Sequence, residues 1–447
     1  METPVCDFVR RYVENNTARL HMPGHKGVGP LGIEHLDITE IEGADSLYEA
    51  SGIIRESERN ASQLFGCETF YSTEGSSQCI RAMLYLAALH AKQCGKHPVI
   101  AAARNVHKTF LSAAALLDLD VVWLYPEEQD SYLSCKLNAE NLEEYLSTAE
   151  ELPTAVYVTS PDYLGNLQNL QGMAEICHRF DVLLLVDNAH GAYLRFLRPS
   201  LHPIDLGADL CCDSAHKTLP VLTGGAYLHI SASAPKLFAE QAKNALALFG
   251  STSPSYLVLQ SLDAANVYLA DDYGQHLADF IGRIDKLKRK LTAHGYLLQG
   301  DEPLKLTIAA KAYGYLGREL ADALLEQGIV CEFSDPDFLV MMLTPETGED
   351  VLVRLEQKVL SIPAKAAITD KPPVFHRSEA VMSIREAAMS VGETLPVEDC
   401  IGRVLAAASV GCPPAVPIVV CGERIDEHAA ACFAYYGIEH CTVVAEQ

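Results

Sequence analysis

Between about residue 60 and residue 230 the chain alternates short apolar runs with amphipathic stretches of helical period. That alternation predicts a mostly parallel sheet covered by helices on both faces. HPVIAAA (97–103), DVVWLYP (120–126), TAVYVTS (154–160), DVLLLVD (181–187), ADLCCDS (208–214) and GGAYLHIS (224–231) read as buried strands. Helices are expected over SSQCIRAMLYLAALHAKQ from Ser76, over MAEICHRF from Met173, and as one long helical stretch from about Lys243 to Gly295. From about 300 to 365 the order changes to a strand LKLTIAA, a helix ELADALLEQG, strands IVCEFS and DFLVMMLT, and a helix EDVLVRLEQKVLSI, which suggests a small α+β unit with its own sheet. The polar, proline-bearing stretch ITDKPPVFHRSE marks a boundary near residue 370. The expected organisation is an arm (1–30), a large α/β domain (31–260), a small α+β domain (261–368) and a C-terminal domain (369–447).

Composition narrows the choice of partners. The 447 residues carry 34 Lys and Arg against 59 Asp and Glu, a net charge of -25 that repels phosphate backbones and anionic bilayers at long range. Nucleic acid and membrane are therefore not expected as partners. The same field favours the approach of a small cation, although acidity also serves solubility alone. METPVCDFVRRYVENN lacks the apolar stretch of a signal peptide, and no apolar run is long enough to span a bilayer, so a cytoplasmic protein is expected. Its 14 cysteines then read as reduced, mostly buried thiols. Cys400, Cys412, Cys421, Cys432 and Cys441 gather near the C-terminus with His428 and His440, but none forms a CxxC pair, and no metal site is expected there.

Candidate chemistry sits at strand ends. The run DVLLLVD delivers Asp187, followed by Asn188, Ala189 and His190, to the carboxyl end of a buried strand, where ligands of open α/β sheets bind. Ser214, His216 and Lys217 follow the strand ADLCCDS in the same way. A lysine able to form an imine and a carboxylate able to hold a pyridinium nitrogen protonated are two requirements of pyridoxal phosphate. STEGSSQ (72–78) offers Gly75, Ser76 and Ser77 at a helix start, suited to a phosphate. His107, after the strand HPVIAAA, is placed to cover a ring, and it and His190 are of the residue type most suited to handling protons near neutral pH. Each feature also has a plainer reading, since strand-terminal Asp, helix-initial Ser and a lone SxHK occur as caps and turns.

Taken in order, RLHMPGHKG (19–27), ITEIEGADSLYEASGIIRESE (38–58), STEGSSQ, ARNVHK (103–108), SPDYLG (160–165), DNAHGA (187–192), SAHKTLP (214–220) and STSPSY (251–256) resemble the motifs of the Orn/Lys/Arg decarboxylase family. The tail IGRVLAAASVGCPPAVPIVVCGE (401–423) is similar to that family's C-terminal domain. The resemblance implies the aspartate aminotransferase fold, fold type I, and a homodimer with shared active sites. It implies pyridoxal 5'-phosphate as cofactor, with Lys217 as the Schiff-base lysine, Asp187 paired with the pyridine nitrogen, His190 beside it and His107 stacked on the ring. Gly75, Ser76, Ser77, Ser214 and His216 would line the phosphate and Schiff-base region, with Thr252 reaching the phosphate from a partner subunit. Glu332, in IVCEFSDPD, would meet the distal cationic group of the substrate.

Two departures stand out. Asn188 replaces the family's usual Glu or Ser, and Asp162 replaces the Thr of SPTY, which would place a second acid near the substrate. The resemblance thus points to decarboxylation of a basic amino acid to a polyamine or its precursor, leaning to arginine because a guanidinium suits two carboxylate oxygens. The rivals are an aminotransferase or other lyase on the same fold and a non-catalytic relative. DFLVMMLT carries no arginine to fix an α-carboxylate and none follows Lys217 within ten residues, which speaks against the aminotransferase.

Overall fold

The computed structural model describes residues 1–126, 131–407, 411–412 and 416–446, so residues 408–410 and 413–415 of the tail motif lie outside the described residues. Seven strands build one large, mostly parallel sheet: β1 (Glu68–Ser72), β2 (Val99–Ala103), β3 (Asp120–Leu124), β4 (Ala155–Thr159), β5 (Leu183–Asp187), β6 (Leu210–Asp213) and β7 (Ala226–Ile230). Six of them lie inside the apolar runs predicted to be strands, each shorter because the flanking residues leave the ladder. β5 is buried along its whole length, as a continuous apolar run in a covered parallel sheet should be.

The chain divides into two compact units, Met1–His97 with Leu170–Leu277, and Pro98–Asn169 with Ala278–Gln447. In the first unit the strands run β1-β7-β6-β5. β5 and β6 are parallel, while β7 lies antiparallel to both β6 and β1. β1 was not foreseen, because ETFYS opens on an exposed glutamate and a threonine and ends on a serine, which leaves no apolar run. The single long helix expected over 243–295 is three helices, Lys236–Ala247, Tyr256–Ala270 and Tyr273–His294. Pro254 cannot continue a helix, and Ser255 caps the next one by accepting the Val258 N–H at 3.4 Å. The second break falls at Asp272, whose φ of 52° is left-handed.

In the second unit β4-β2-β3 run as neighbours, β2 parallel to both. The small sheet has the order β10-β11-β9-β8, from β8 (Leu298–Gln299), β9 (Lys305–Ala309), β10 (Phe333–Ser334) and β11 (Phe338–Met342). The strand expected over IVCEFS is reduced to β10, two residues paired with β11. C-terminal to it, Gly392–Pro396 pairs antiparallel with His440–Val444. One apolar cluster includes Tyr132 and Leu164, Phe338 of the small sheet, and Phe375, Val419 and Phe433 of the C-terminal segment, so that segment shares its core with earlier chain. Among the described residues no helix is long and apolar enough to cross a membrane.

Arg104, which follows β2, fastens this unit. It is 1% exposed and donates to the carbonyls of Pro417 and Ile418 at 2.8 and 3.0 Å and to the Glu423 carboxylate at 3.2 Å. Removing one member of a buried ion pair leaves the other charged and unpaired, at a cost of about 3–5 kcal/mol. Arg104→Met should therefore lower the denaturant midpoint of the holoprotein sharply, and adding Glu423→Gln should recover part of the loss. A single variant with an unchanged unfolding curve would show that the pair contributes little.

Candidate active site

Parallel pairing of β5 with β6 sets Asp187 against Cys212, so the turns that leave both strands emerge at the same end of the sheet. The Asn188 N–H then donates to the Cys212 carbonyl at 3.0 Å. Asp187 is 2% exposed, and its Oδ1 accepts the Ala189 N–H at 3.2 Å and the Cys212 thiol at 3.7 Å. Burial pushes the pKa of that thiol up, which keeps it a proton donor. Gly191 is required by contact, since a Cβ there would lie 2.0 Å from Asn188 Oδ1.

On the neighbouring turn the short helix Ala215–Thr218 carries Lys217. Its Nζ stands 2.9 Å from Nε2 of the buried His190, a separation at which the two share a proton. Asp187, His190 and Lys217 thus come from two adjacent strand ends, as the sequence predicted.

A third turn closes against these two. Gly75 opens the helix Gly75–Gln93 with φ 72° and donates its N–H to the Gly224 carbonyl at 2.7 Å. Gly75, Ser76 and Ser77 are the first three residues of that helix, where backbone amides and the helix dipole favour an anion. Ser214 Oγ donates to Ser76 Oγ at 2.8 Å. The His216 Nδ1–H donates to the Gly225 carbonyl at 3.0 Å, and burial lowers the pKa of the ring, leaving it neutral with Nε2 as an acceptor. The N-cap residue Glu74 accepts the Ser251 N–H, which ties the loop bearing the exposed Thr252 to the same helix start.

Behind the β5 turn lies a cluster that sequence reading missed. Asp213, His202 and His229 are all 0% exposed, and both imidazole Nε2 atoms sit 3.1 Å from Asp213 Oδ2. Asn188 Nδ2 donates to Asp213 Oδ1 at 2.6 Å. Burial alone would raise the pKa of Asp213, but His202 and His229 outweigh it and hold that pKa far below the usual carboxylate range. His202, Cys211 and Asp213 have potential metal-ligand atoms within 4.8 Å of one another. His202, Cys211 and Asp213 fall within twelve residues of one another, but their spacing matches no usual ligand pattern, and His229 joins them only through the pairing of β6 with β7.

The remaining predicted residues belong to the second unit. His107 caps the helix Lys108–Leu117, its Nδ1 accepting the Thr109 N–H at 3.2 Å. Asp162, expected as a second substrate acid, is 2% exposed and turned into its own loop. Its oxygens accept the N–H groups of Leu164 and Asn166 and the Asn166 side-chain amide, each at 2.9 Å. Such a turn is what an aspartate makes when it bonds the backbone two residues on. Glu332 is exposed and accepts the Tyr163 hydroxyl at 2.9 Å.

The donor set of the first unit fits pyridoxal phosphate: a buried carboxylate, a lysine beside an imidazole, and a hydroxyl-rich helix start backed by glycines. The fold is that of the fold type I pyridoxal-phosphate enzymes. The profile described as Orn/Lys/Arg decarboxylase, major domain, matches residues 3–299, and that of the C-terminal domain matches residues 365–441. This chain belongs to the Orn/Lys/Arg decarboxylase family, and it is a decarboxylase of basic amino acids. It is 29% identical over 460 residues to an arginine decarboxylase of Halalkalibacterium halodurans, covering 95% of this chain and 91% of that relative. An arginine decarboxylase of Bacillus subtilis is 28% identical over 463 residues, with 95% and 92% covered. Among solved structures, the lysine decarboxylase of Francisella novicida has a similar fold, with a TM-score of 0.79 at 18% identity over 99% of this chain and 81% of that one.

Gly224 offers a test of the glycine backing. Its φ is 98°, and a Cβ there would stand 2.7 Å from the Thr73 carbonyl oxygen. A side chain in left-handed backbone costs about 1–2 kcal/mol before any clash. Gly224→Ala should weaken pyridoxal phosphate binding about tenfold or more in an equilibrium titration while far-UV circular dichroism stays unchanged. Undiminished affinity would mean that this turn does not shape the phosphate site.

Proposed function

We propose that this enzyme decarboxylates arginine, using pyridoxal phosphate joined to Lys217, in a homodimer with shared sites. The observation that carries the reading is the approach of Lys217 Nζ to His190 Nε2 beside the buried Asp187. When bound, the cofactor supplies an electron sink for the pair left behind as the substrate carboxylate departs as carbon dioxide. Asp187 sets its charge against the ring nitrogen and keeps it protonated. Lys217 provides the amine for covalent attachment, and His190 holds or returns a proton at Nζ. Gly75, Ser76, Ser77, Ser214 and His216 receive the phosphate. His107 spends Nδ1 on its helix cap, and we assign its ring face to stacking over the cofactor.

Exposure of Thr252, on a loop held to the phosphate turn through Glu74, suits a residue that serves a partner subunit's site. Two consequences bear on the substrate. Asp162 is spent on its own turn, so the choice of arginine rests on Glu332 and on the two arginine decarboxylases that match nearly the full length. Glu332, oriented by the Tyr163 hydroxyl, is the acid we assign to the distal guanidinium.

Carbon dioxide release from arginine, lysine and ornithine, measured side by side, should show the highest kcat/KM for arginine; a clear preference for lysine would overturn that choice. Lys217→Ala should abolish covalent retention of cofactor after borohydride reduction, and label retained on another lysine would refute the assignment. Asp187→Asn should still bind cofactor but lose most turnover. Glu332→Gln should raise KM for arginine severalfold with cofactor affinity unchanged, since it removes charge but little volume. Identical kinetics on all three substrates would release Glu332 from the role.

A further inference from the structure

The buried cluster behind β5 is not needed for any chemical step described above, yet it touches both turns that carry the chemistry. Asn188 directly follows Asp187, and Asp213 directly precedes Ser214, whose carbonyl accepts the Lys217 N–H at 3.0 Å. The side-chain bond between Asn188 and Asp213, 2.6 Å long, therefore links the turn of Asp187 and His190, one residue after Asp187, to the turn of Lys217, four residues before that lysine.

We infer that Asn188 and Asp213 form a positioning strut, an amide gripped by a carboxylate, that fixes Asp187 relative to Lys217 for cofactor binding.

Three features support this. First, the amide has one rewarded orientation. Asn188 Oδ1 is buried with no hydrogen-bond partner, packed where Gly191 leaves room for it, and turning the amide round would set that oxygen against the carboxylate. Second, the carboxylate is held from its far side. Oδ2 accepts from His202 and His229, and the second nitrogen of His229, Nδ1, lies 2.9 Å from Thr69 Oγ1, a hydroxyl that supplies the proton and leaves the imidazole N–H on Nε2. Third, hydrogen bonding by itself satisfies the carboxylate, which receives three donors and so needs no metal ion to balance it, although His202 Nδ1 stays buried without a partner. The titratable and charged groups around the strut include Asp187, Cys67, Cys79, Arg195, His202, Asp205, Cys211, Cys212, Tyr227 and His229.

The strut rests on the cofactor reading given above, and exchanging its two ends tests it. Asn188→Asp would bring two buried carboxylates together where both cannot stay ionised. At pH 8 this variant should bind pyridoxal phosphate about tenfold or more weakly than wild type, and affinity should return toward wild type by pH 6 as the pair takes up a proton. Its bound cofactor should also show a visible band whose pH midpoint lies above the wild-type midpoint, a change that a loss of packing alone would not produce. The double variant Asn188→Asp with Asp213→Asn restores one amide and one carboxylate, with the new amide oxygen facing the two histidines. It should recover affinity at pH 8 to within about threefold of wild type, together with the wild-type midpoint.

Thermal melts of the cofactor-free proteins give a second readout, in which Asn188→Asp should lower the midpoint at pH 8 and the double variant should restore it. If the single variant is too unstable to isolate while the double variant folds and binds, the strut is supported. A double variant no better than the single one overturns it, as does a single variant with wild-type affinity and midpoint. One equivalent of metal retained by the purified wild type and lost in Asp213→Asn would also overturn it, replacing the strut with a metal centre. Absence of covalent cofactor from the wild type, with the melts still following the exchange, would instead refute the decarboxylase chemistry and leave the strut standing.

Discussion

The chemistry of this enzyme depends on the parallel pairing of β5 with β6. Two strands paired in that sense release their chains at the same edge, and the register that sets Asp187 against Cys212 brings the carboxylate turn beside the lysine turn. A slip of one residue would turn every side chain of one strand to the opposite face of the sheet. The apolar burial that fixes the strands, complete along both β5 and β6, therefore also fixes the catalytic geometry.

Much of this was legible in the chain. Apolar runs marked six of the seven large-sheet strands; in β2, β4, β5 and β6 the run is nearly continuous because buried parallel strands have no polar face to interrupt them. β1 escaped because ETFYS mixes Glu68, Thr69 and Ser72 with only two apolar residues, so no apolar run marks it. The long helix was overread because helical composition resumes on both sides of FGSTSPS, and composition does not register where a proline removes a donor. The site was legible wherever a residue's role follows from the strand end it occupies, as for Asp187 and Lys217. It was not legible where side-chain direction decides. Asp162 stands in a motif beside Tyr163, yet its carboxylate turns inward to its own backbone. His202, Asp213 and His229 each look like an ordinary polar residue in sequence, and only the sheet brings them together.

Buried charge recurs in both units. Asp213 is held by two imidazoles, Arg104 by a carboxylate and two carbonyls, and Lys305 by Glu302 at 3.1 Å. Such groups contribute little net stability compared with apolar residues of the same volume, but they tolerate few alternative arrangements. Asp213 also lies directly before the turn bearing Lys217.

The shared core of the second unit bears on how this protein changes over generations. Phe375, Val419 and Phe433 pack in one cluster with Tyr132 and Leu164, so the C-terminal segment does not own the apolar interior that would let it travel as a separate cassette. The two stretches matched separately by family profiles, 3–299 and 365–441, are in this respect a single inheritance. Substitutions on one side of that seam must be answered on the other, and a tail borrowed from a distant relative would bring side chains shaped for a different cavity.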